Sequence, residues 1–571
     1  MNVIQAVKMY ITKMTEESGP GMKVILMDRE TTSIVSMVFS QSEILQKEVY
    51  LFERIDSHSK WDNLKHMKCI AFLRPTSENI ALLSRELRYP KYGVYFIYFS
   101  NVISKADVKT LAECDEQEAV REVQEVFADY LAVDRHLFSF NITGCLRGRM
   151  WNQQELQRCS QGLLALLLSL KRRAVVRYEA ASEPCARLAE RVRDLLRREA
   201  VLIDNNIPFN GDIPTPQLLI IDRRDDPVTP LLNQWTYQAM VHELLTIHNN
   251  RVSLAHVADV PADFREVVLA SEQDEFYAKN LYSNFGEIGQ TMKSLMDEFQ
   301  KKAKSHQKVE SISDMKNFVE TYPLFKKMSG TVTKHVTVVG ELSAAVATHH
   351  LLEVSELEQE IACQSDHSKH LQRLKSLISN ESIRHHDAAK LVALYALRYE
   401  KHASNALPAL TDALKSRGCP EPLVKAVVNV LEYGGAHARQ SDLFGLQDAA
   451  KITKRLFKGL NGVENIYTQH TPLLKDTLED LIKGKLRENL YPTLGGDDSG
   501  YGRRPQDIIV FIVGGATYEE ALCVHQINQA YPGVKVVLGG TTVHNSTSFL
   551  EEVKAAMQGV HRTHTRHIKN V

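Results

Sequence analysis

Six consecutive residues, Asp222-Arg223-Arg224-Asp225-Asp226-Pro227, form the densest charged cluster beside an apolar run, Leu218-Leu219-Ile220-Ile221. Carboxylates at the C-terminal edge of a buried strand can hold a divalent cation such as Mg²⁺, the arrangement of nucleotide-sugar transferases. The two arginines partly neutralise such a site, and no second carboxylate cluster follows it. A charged turn whose arginines pair with its own aspartates is therefore the more economical reading. Gly514-Gly515 and Gly539-Gly540 each follow an apolar run and precede a helical pattern. Backbone N–H groups at such turns can cradle phosphate. Neither turn has the spacing of a dinucleotide or P-loop fingerprint. Each is followed by a capping-box pattern, Thr517-x-x-Glu520 and Ser548-x-x-Glu551, whose glutamate satisfies the same backbone and repels phosphate. Adjacent histidines, His349-His350 and His385-His386, project roughly 100° apart on a helix, so neither pair makes a metal site. His561, His564 and His567 read as a solvated, basic C-terminal end. No Gly-x-Ser-x-Gly elbow is present. No metal and no cofactor is expected. The enzyme reading that stays open is a nucleotide-sugar-dependent glycosyltransferase on Asp222, Asp225 and the Gly514-Gly515 turn.

The elements that would position these residues follow from periodicity. Val24–Met27, Cys69–Leu73 and Val94–Phe99 are apolar throughout and end in polar turns, as buried parallel strands do. Between and after them, Glu78–Leu87 and Val108–Tyr130 read as helices, so the first stretch is an α/β unit with an open parallel sheet. Gly162–Lys171 and Glu183–Ala200 read as helices, Pro208, Pro214 and Pro216 mark a loop, and Leu218–Ile221 is another buried strand. From about 246 to 475 helical spacing dominates, with Val336–Val339 a weak strand exception. Phe285, Ile288, Met292, Leu295 and Phe299 form one seam. Ile312, Met315, Phe318 and Tyr322 form a second, closed by Pro323. Together they predict a helical hairpin with a polar tip at Lys301–Lys308. Its seam could hold another helix or simply pack within the chain. The end returns to α/β: Asp507–Val513 and Val534–Leu538 are strands that join the sheet of Leu218–Ile221. That makes one α/β unit discontinuous, with the helical block inserted into it. Tyr491–Arg504 reads as a disordered link.

Composition narrows the classes. A chain of 571 residues has material for roughly four domains of ordinary size. With 44% apolar and 24% charged residues it is globular rather than disordered. A formal net charge of −1 argues against a global nucleic-acid binder. The eight cysteines lack zinc or redox spacing, which fits free thiols in a reducing compartment. The N-terminus reads as an amphipathic helix without signal-peptide features. The most apolar run, Gly162–Leu170, is too short to span a bilayer. The sequons at Asn141 and Asn545 read as chance.

The run from Asp222 to Leu232, continuing Asn233-Gln234-Trp235-Thr236-Tyr237-Gln238-Ala239-Met240-Val241-His242-Glu243-Leu244-Leu245, resembles the signature of the Sec-one/Munc-eighteen (SM) family of SNARE regulators. The resemblance extends over Lys23–Asp28, Tyr322–Met328, His335–Leu342, Leu391–Tyr399, Ile508–Glu520 and Leu538–Thr542. Gly21–Val24, Thr31–Met37, Val463–His470 and Gly539–Asn545 are similar to its vacuolar-sorting branch. The resemblance implies an α/β plus α fold, an arch of three domains: two open parallel-sheet α/β domains and a large helical insertion with a hairpin. It divides the chain into domain one, 1–133; domain two, 134–246 plus 478–571; and domain three, 247–477, with the hairpin at about 285–330. It implies no enzymatic activity. The implied function is binding of a syntaxin (Qa-SNARE) and promotion of SNARE assembly in trans-Golgi and endosomal transport. A Rab effector of the rabenosyn type is a further implied partner, nucleic acid is not, and membrane association is peripheral, through partners, on Golgi and endosomal membranes from the cytoplasm. Val108 or Leu111 takes the place of the apolar residue in the pocket for the syntaxin N-terminal peptide. Lys47 and Arg54 face acidic side chains in the cleft, and Pro323 is the hairpin hinge. Asp222, Arg223, Asp226, Pro230, Trp235 and Tyr237 are read as architecture, with buried ion pairing at the turn.

Overall fold

A computed structural model describes residues 1–57, 63–207, 215–258, 260–307, 312–444, 466–494 and 504–559; side chains are described outside 304–324. The loop prolines Pro208 and Pro214, most of the Tyr491–Arg504 link, Val463–Asn465 and the basic tail with His561, His564 and His567 lie outside the described residues.

The apolar runs of the first stretch form a five-stranded, all-parallel sheet. Its strands are β1 (Lys23–Met27), β2 (Val49–Arg54), β3 (Leu64–Leu73), β4 (Tyr92–Phe99) and β5 (Val120–Glu125), in the order β2-β1-β3-β4-β5. β1 is buried along its whole length, while the edge strands β2 and β5 alternate towards solvent. This explains one departure from expectation. The span Val108–Tyr130 is not a helix: the helix covers only Lys105–Cys114 and the chain then re-enters the sheet as β5. The Asp115 carboxylate accepts the Ala119 and Val120 N–H groups (2.8 and 3.0 Å) and turns the chain. Edge strands carry charge on their open side, which made Val120-Arg121-Glu122-Val123 look helical.

The second sheet is assembled from distant parts of the chain. Its strands are β6 (Leu131–Asp134), β7 (Leu137–Ser139), β8 (Val175–Tyr178), β9 (Gln217–Asp222), β10 (Thr493–Leu494), β11 (Asp507–Val513) and β12 (Lys535–Gly540). The order is β10-β8-β9-β11-β12-β7-β6, parallel except for β10 and β6 at the edges. The two C-terminal strands thus join the Leu218–Ile221 strand as expected, with Leu219 opposite Val510. The helix expected from Gly162 starts earlier, at Gln153, behind an Asn152 cap. The start of the Tyr491–Arg504 link pairs with β8 as the edge strand β10.

Between the two halves of this sheet lies the helical block. An outgoing helix, Phe285–Gln307, and a return helix, Ile312–Thr348, form the hairpin. Phe299 and Phe325 stack across it at 5.3 Å. Two expectations change here. The return helix runs through position 323, so Pro323 does not close it; the Pro323 side chain lies outside the described residues. Val336–Val339 is not a strand but part of that helix, where burial of Val338 overrides β-branched propensity. Among the described residues no helix is long and apolar enough to cross a membrane.

Candidate functional site

The signature cluster sits where β9 ends, and each of its charges is spent within the fold. Asp222 caps the following turn: its Oδ1 accepts the Arg224 N–H (3.0 Å), and its Oδ2 accepts the Ser182 hydroxyl (2.6 Å). Arg223 reaches Glu520, one of the most buried carboxylates in the chain, through two hydrogen bonds of 2.9 and 2.5 Å. Burial pushes Glu520 up to about 7, with Arg223 pulling the other way. Arg224 donates to the Gly148 carbonyl and lies 5.0 Å over the Tyr433 ring. Asp225 accepts the Gln440 N–H, the Ser441 N–H and the Ser441 hydroxyl at 2.9, 3.0 and 2.5 Å. Asp226 accepts the Val228, Thr229 and Leu473 N–H groups and the Thr229 hydroxyl. The arginines do not hydrogen-bond the cluster's own aspartates, as the local reading had it, but reach across the fold. The aspartates are engaged instead by backbone N–H and hydroxyl donors. Among the described residues no group of three His, Cys, Asp or Glu side chains is placed to hold a metal.

The glycine turns are equally occupied. Gly515 has φ +97°, and a Cβ there would lie 2.3 Å from the His544 ring. That ring fills the turn, with its Nε2 at 2.9 Å from the Gly514 carbonyl, and burial holds its pKa down at about 3. Thr517 and Glu520 make the expected capping box over the next helix. The second box differs: Asn545 with Ser548, not Ser548 with Glu551, caps the last helix. Pro230, His242, Thr517, Tyr518 and His544 border a cavity of about 10 Å³, room for one water. The carboxylates and the glycine turn singled out for a nucleotide-sugar site are thus engaged within the fold.

The remaining signature residues tie this turn to the helical block. Pro230 is buried in a short 3₁₀ turn. Trp235 Nε1 donates to the Ser355 hydroxyl (2.7 Å). Tyr237 bonds His335 of the return helix at 2.8 Å. The Lys390 ammonium, fully buried, bonds Asn233 (3.0 Å) and lies within 4 Å of Glu243, Glu358 and Asp387. Apart from Asp387, three residues before Lys390, these partners are far apart in sequence, and no local pattern reveals them.

The surface residues fall in separate places. Val108 is 38% exposed, whereas Leu111, one helical turn on, is 4% exposed and packs in the core under the first sheet. Val123 of edge strand β5 is also exposed. Lys47 precedes β2 and lies 3.9 Å from Glu16. Arg54 ends β2, and its Nε donates to Asp56 at 2.9 Å. The two cations stand at opposite ends of β2, about 20 Å apart along the strand. Between them Tyr50 and Phe52 are 53% and 42% exposed on the same face of this edge strand. Their alternation in Val49-Tyr50-Leu51-Phe52-Glu53-Arg54 is the signal that sequence reading passed over.

Comparisons with known proteins agree with this architecture. The Sec1 family's sequence model matches residues 23–552. The human vacuolar protein sorting-associated protein 45 is 61% identical over 98% of this chain and 97% of its own length. The Saccharomyces cerevisiae protein of that name is 34% identical over 97% of this chain and all of its own length. A solved structure of the SM protein Vps45 in complex with the Qa SNARE Tlg2 superposes with a TM-score of 0.90 at 46% identity, covering 97% of this chain and 98% of that one. With the family model spanning most of its length, and with both sheets and the helical block in place, the chain belongs to the Sec1 family.

Proposed function

We propose that this chain is a non-enzymatic binder of a syntaxin-type Qa-SNARE that promotes SNARE complex assembly in vacuolar protein sorting. The observation that carries the reading is the full-length likeness to an SM protein solved with its Qa SNARE, at 46% identity. The signature turn fits an architectural role, with its charged side chains engaged within the fold. Assembly of a four-helix SNARE bundle costs ordering entropy. A surface that pre-aligns helices lowers that barrier without making or breaking bonds.

Within this reading, Val108 marks the pocket for the syntaxin N-terminal peptide, and Leu111 supports it from the core side. The β2 edge, with Lys47 and Arg54 bracketing Tyr50 and Phe52, forms the domain-one wall of the cleft. The open strand backbone, two aromatics and two cations suit a partner helix or strand with acidic side chains. Pro323 acts as the hairpin hinge. The domain boundaries 1–133, 134–246 with 478–571, and 247–477 belong to the same proposal. So do a cytoplasmic location with peripheral attachment to Golgi and endosomal membranes through the partner, and a Rab effector of the rabenosyn type as a further partner.

The test is a calorimetric titration of the full chain with the cytosolic part of a trans-Golgi or endosomal syntaxin, with and without its N-terminal peptide. Binding that weakens when the peptide is removed supports both the role and the Val108 pocket. Binding indifferent to the peptide moves the interface to the β2 cleft. No binding to any such syntaxin overturns the proposal.

A further inference from the structure

The buried seam of the return helix consists of Val332, His335, Val338, Leu342 and Val346, four aliphatic residues and one histidine. A polar ring at a core position must find partners. His335 is fully buried and finds two, from different elements: the Tyr237 hydroxyl at 2.8 Å on Nδ1, and Asp274 at 2.9 Å on Nε2. With the proton on Nε2, the tyrosine donates to the ring and the ring donates to the carboxylate. Asp274 is itself fixed, because its other oxygen caps the short helix Glu275–Asn280 by accepting the Tyr277 N–H (2.9 Å). The neighbouring Lys334 pairs with the same carboxylate and donates to the Val268 carbonyl at 3.1 Å. The Phe276 ring lies 4.6 Å from the imidazole.

The position of this cluster matters. On the outgoing helix Ile288 and Met292 are buried, and no described residue beyond Met292 is. On the return helix the first buried residue after the described stretch begins at Phe325 is Val332. Both helices therefore leave the body at one level, and the His335 cluster sits at that root. Just outside it is Gly330, where an added Cβ would meet nothing beyond its own helix within 4 Å, as at Gly289 and Gly340; of the three, Gly330 lies on the arm side of the root. Packing does not require a glycine there. What glycine does contribute inside a helix is backbone freedom.

We infer that Tyr237, His335 and Asp274 form a latch that sets the direction in which the hairpin arm leaves the body, with Gly330 as the pivot beyond it. His335 is a positioning residue, joining the signature helix Tyr237–Leu244 to the arm. The consequence for SNARE assembly rests on the proposed function; the latch itself does not.

The test uses the full chain with spin labels on cysteines introduced at Met296, on the arm, and Met150, on the body, both exposed, with the half-buried Cys363 changed to serine. Pulsed dipolar distances then report arm direction without any partner. Loss of one latch hydrogen bond in Tyr237→Phe, or of both in His335→Leu, raises the population of displaced arms by about fivefold or more. His335→Gln, which can still accept from Tyr237 and donate to Asp274, restores the parent distribution, and Gly330→Ala narrows it. If His335→Leu does not fold, Tyr237→Phe carries the test, because it removes a single hydroxyl. Parent-like distances in Tyr237→Phe and in any folded His335→Leu overturn the latch, and a Gly330→Ala distribution as broad as the parent's overturns the pivot. SNARE assembly rates measured on the same variants separate the two ideas. Displaced arms with unchanged rates leave the latch standing and count against a part for the hairpin in the proposed promotion of SNARE assembly.

Discussion

The Arg223–Glu520 pair allows an asymmetry to be worked out in advance. Both side chains are almost wholly buried. Glu520→Gln leaves a guanidinium that cannot lose its proton, with the Asp226 carboxylate as its remaining counter-charge, at a cost of up to about 3–5 kcal/mol. Arg223→Met leaves the opposite partner, and a carboxylate can escape by protonation. Burial already raises Glu520 to about 7 with Arg223 present, so without the arginine it is neutral at pH 7. The cost there is only that of unmade hydrogen bonds, about 1–3 kcal/mol. The pH dependence follows from the sign of that shift. A carboxyl whose folded pKa lies above its unfolded one contributes stability at low pH that is lost as pH rises through the folded value. In the parent that loss levels off near pH 7. In Arg223→Met the folded value moves higher, so stability continues to fall by about 1.4 kcal/mol per pH unit above 7. Native-state hydrogen exchange of β11, the strand that leads into the turn before the Glu520 helix, reads this locally in a chain too large to unfold in one step. Equal losses in the two variants, or an Arg223→Met strand that becomes more protected between pH 7 and 8.5, would refute the reasoning.

Val108→Arg should weaken syntaxin N-peptide binding by about tenfold or more while changing stability by no more than about 0.5 kcal/mol, because the site is exposed; unchanged peptide affinity in calorimetry sinks the pocket assignment. Pro323→Ala removes a residue that costs a helix interior about 3 kcal/mol, so it should favour the extended hairpin and change the SNARE assembly rate; identical rates for variant and parent count against the hinge. His544 is buried and neutral with its pKa held at about 3, so the unfolded chain takes up its proton first as pH falls. Local stability should drop by roughly 2.7 kcal/mol between pH 6.5 and 4.5 on its account, and His544→Gln should flatten that slope in hydrogen-exchange protection of β12; an undiminished slope removes His544 as the cause.

How much was legible depended on how local the cause was. The parallel strands could be read because burial on both faces demands unbroken apolar runs, as in Asp507–Val513. The edge strand β5 could not, because its open face takes charged residues and its spacing imitates a helix. Val336–Val339 misled for the opposite reason: β-branched residues sit in a helix once packing of Val338 outweighs their propensity. The signature cluster was read as architecture, but its partners were not legible, since Glu520 lies almost three hundred residues away.

The sequence by itself determined that this is a balanced, globular α/β plus α chain with a helical insertion and a hairpin. Periodicity, composition and the run from Asp222 to Leu245 are properties of neighbouring residues. Only the tertiary structure decided that Arg223 belongs to Glu520, that His544 fills the Gly515 turn, that Val108 rather than Leu111 meets solvent, and that His335 ties the hairpin root to Tyr237 and Asp274. Each of those pairings joins elements distant in the chain. The cost of burying an unpartnered polar group selects them, and that cost exists only once the sheets and helices have closed around it.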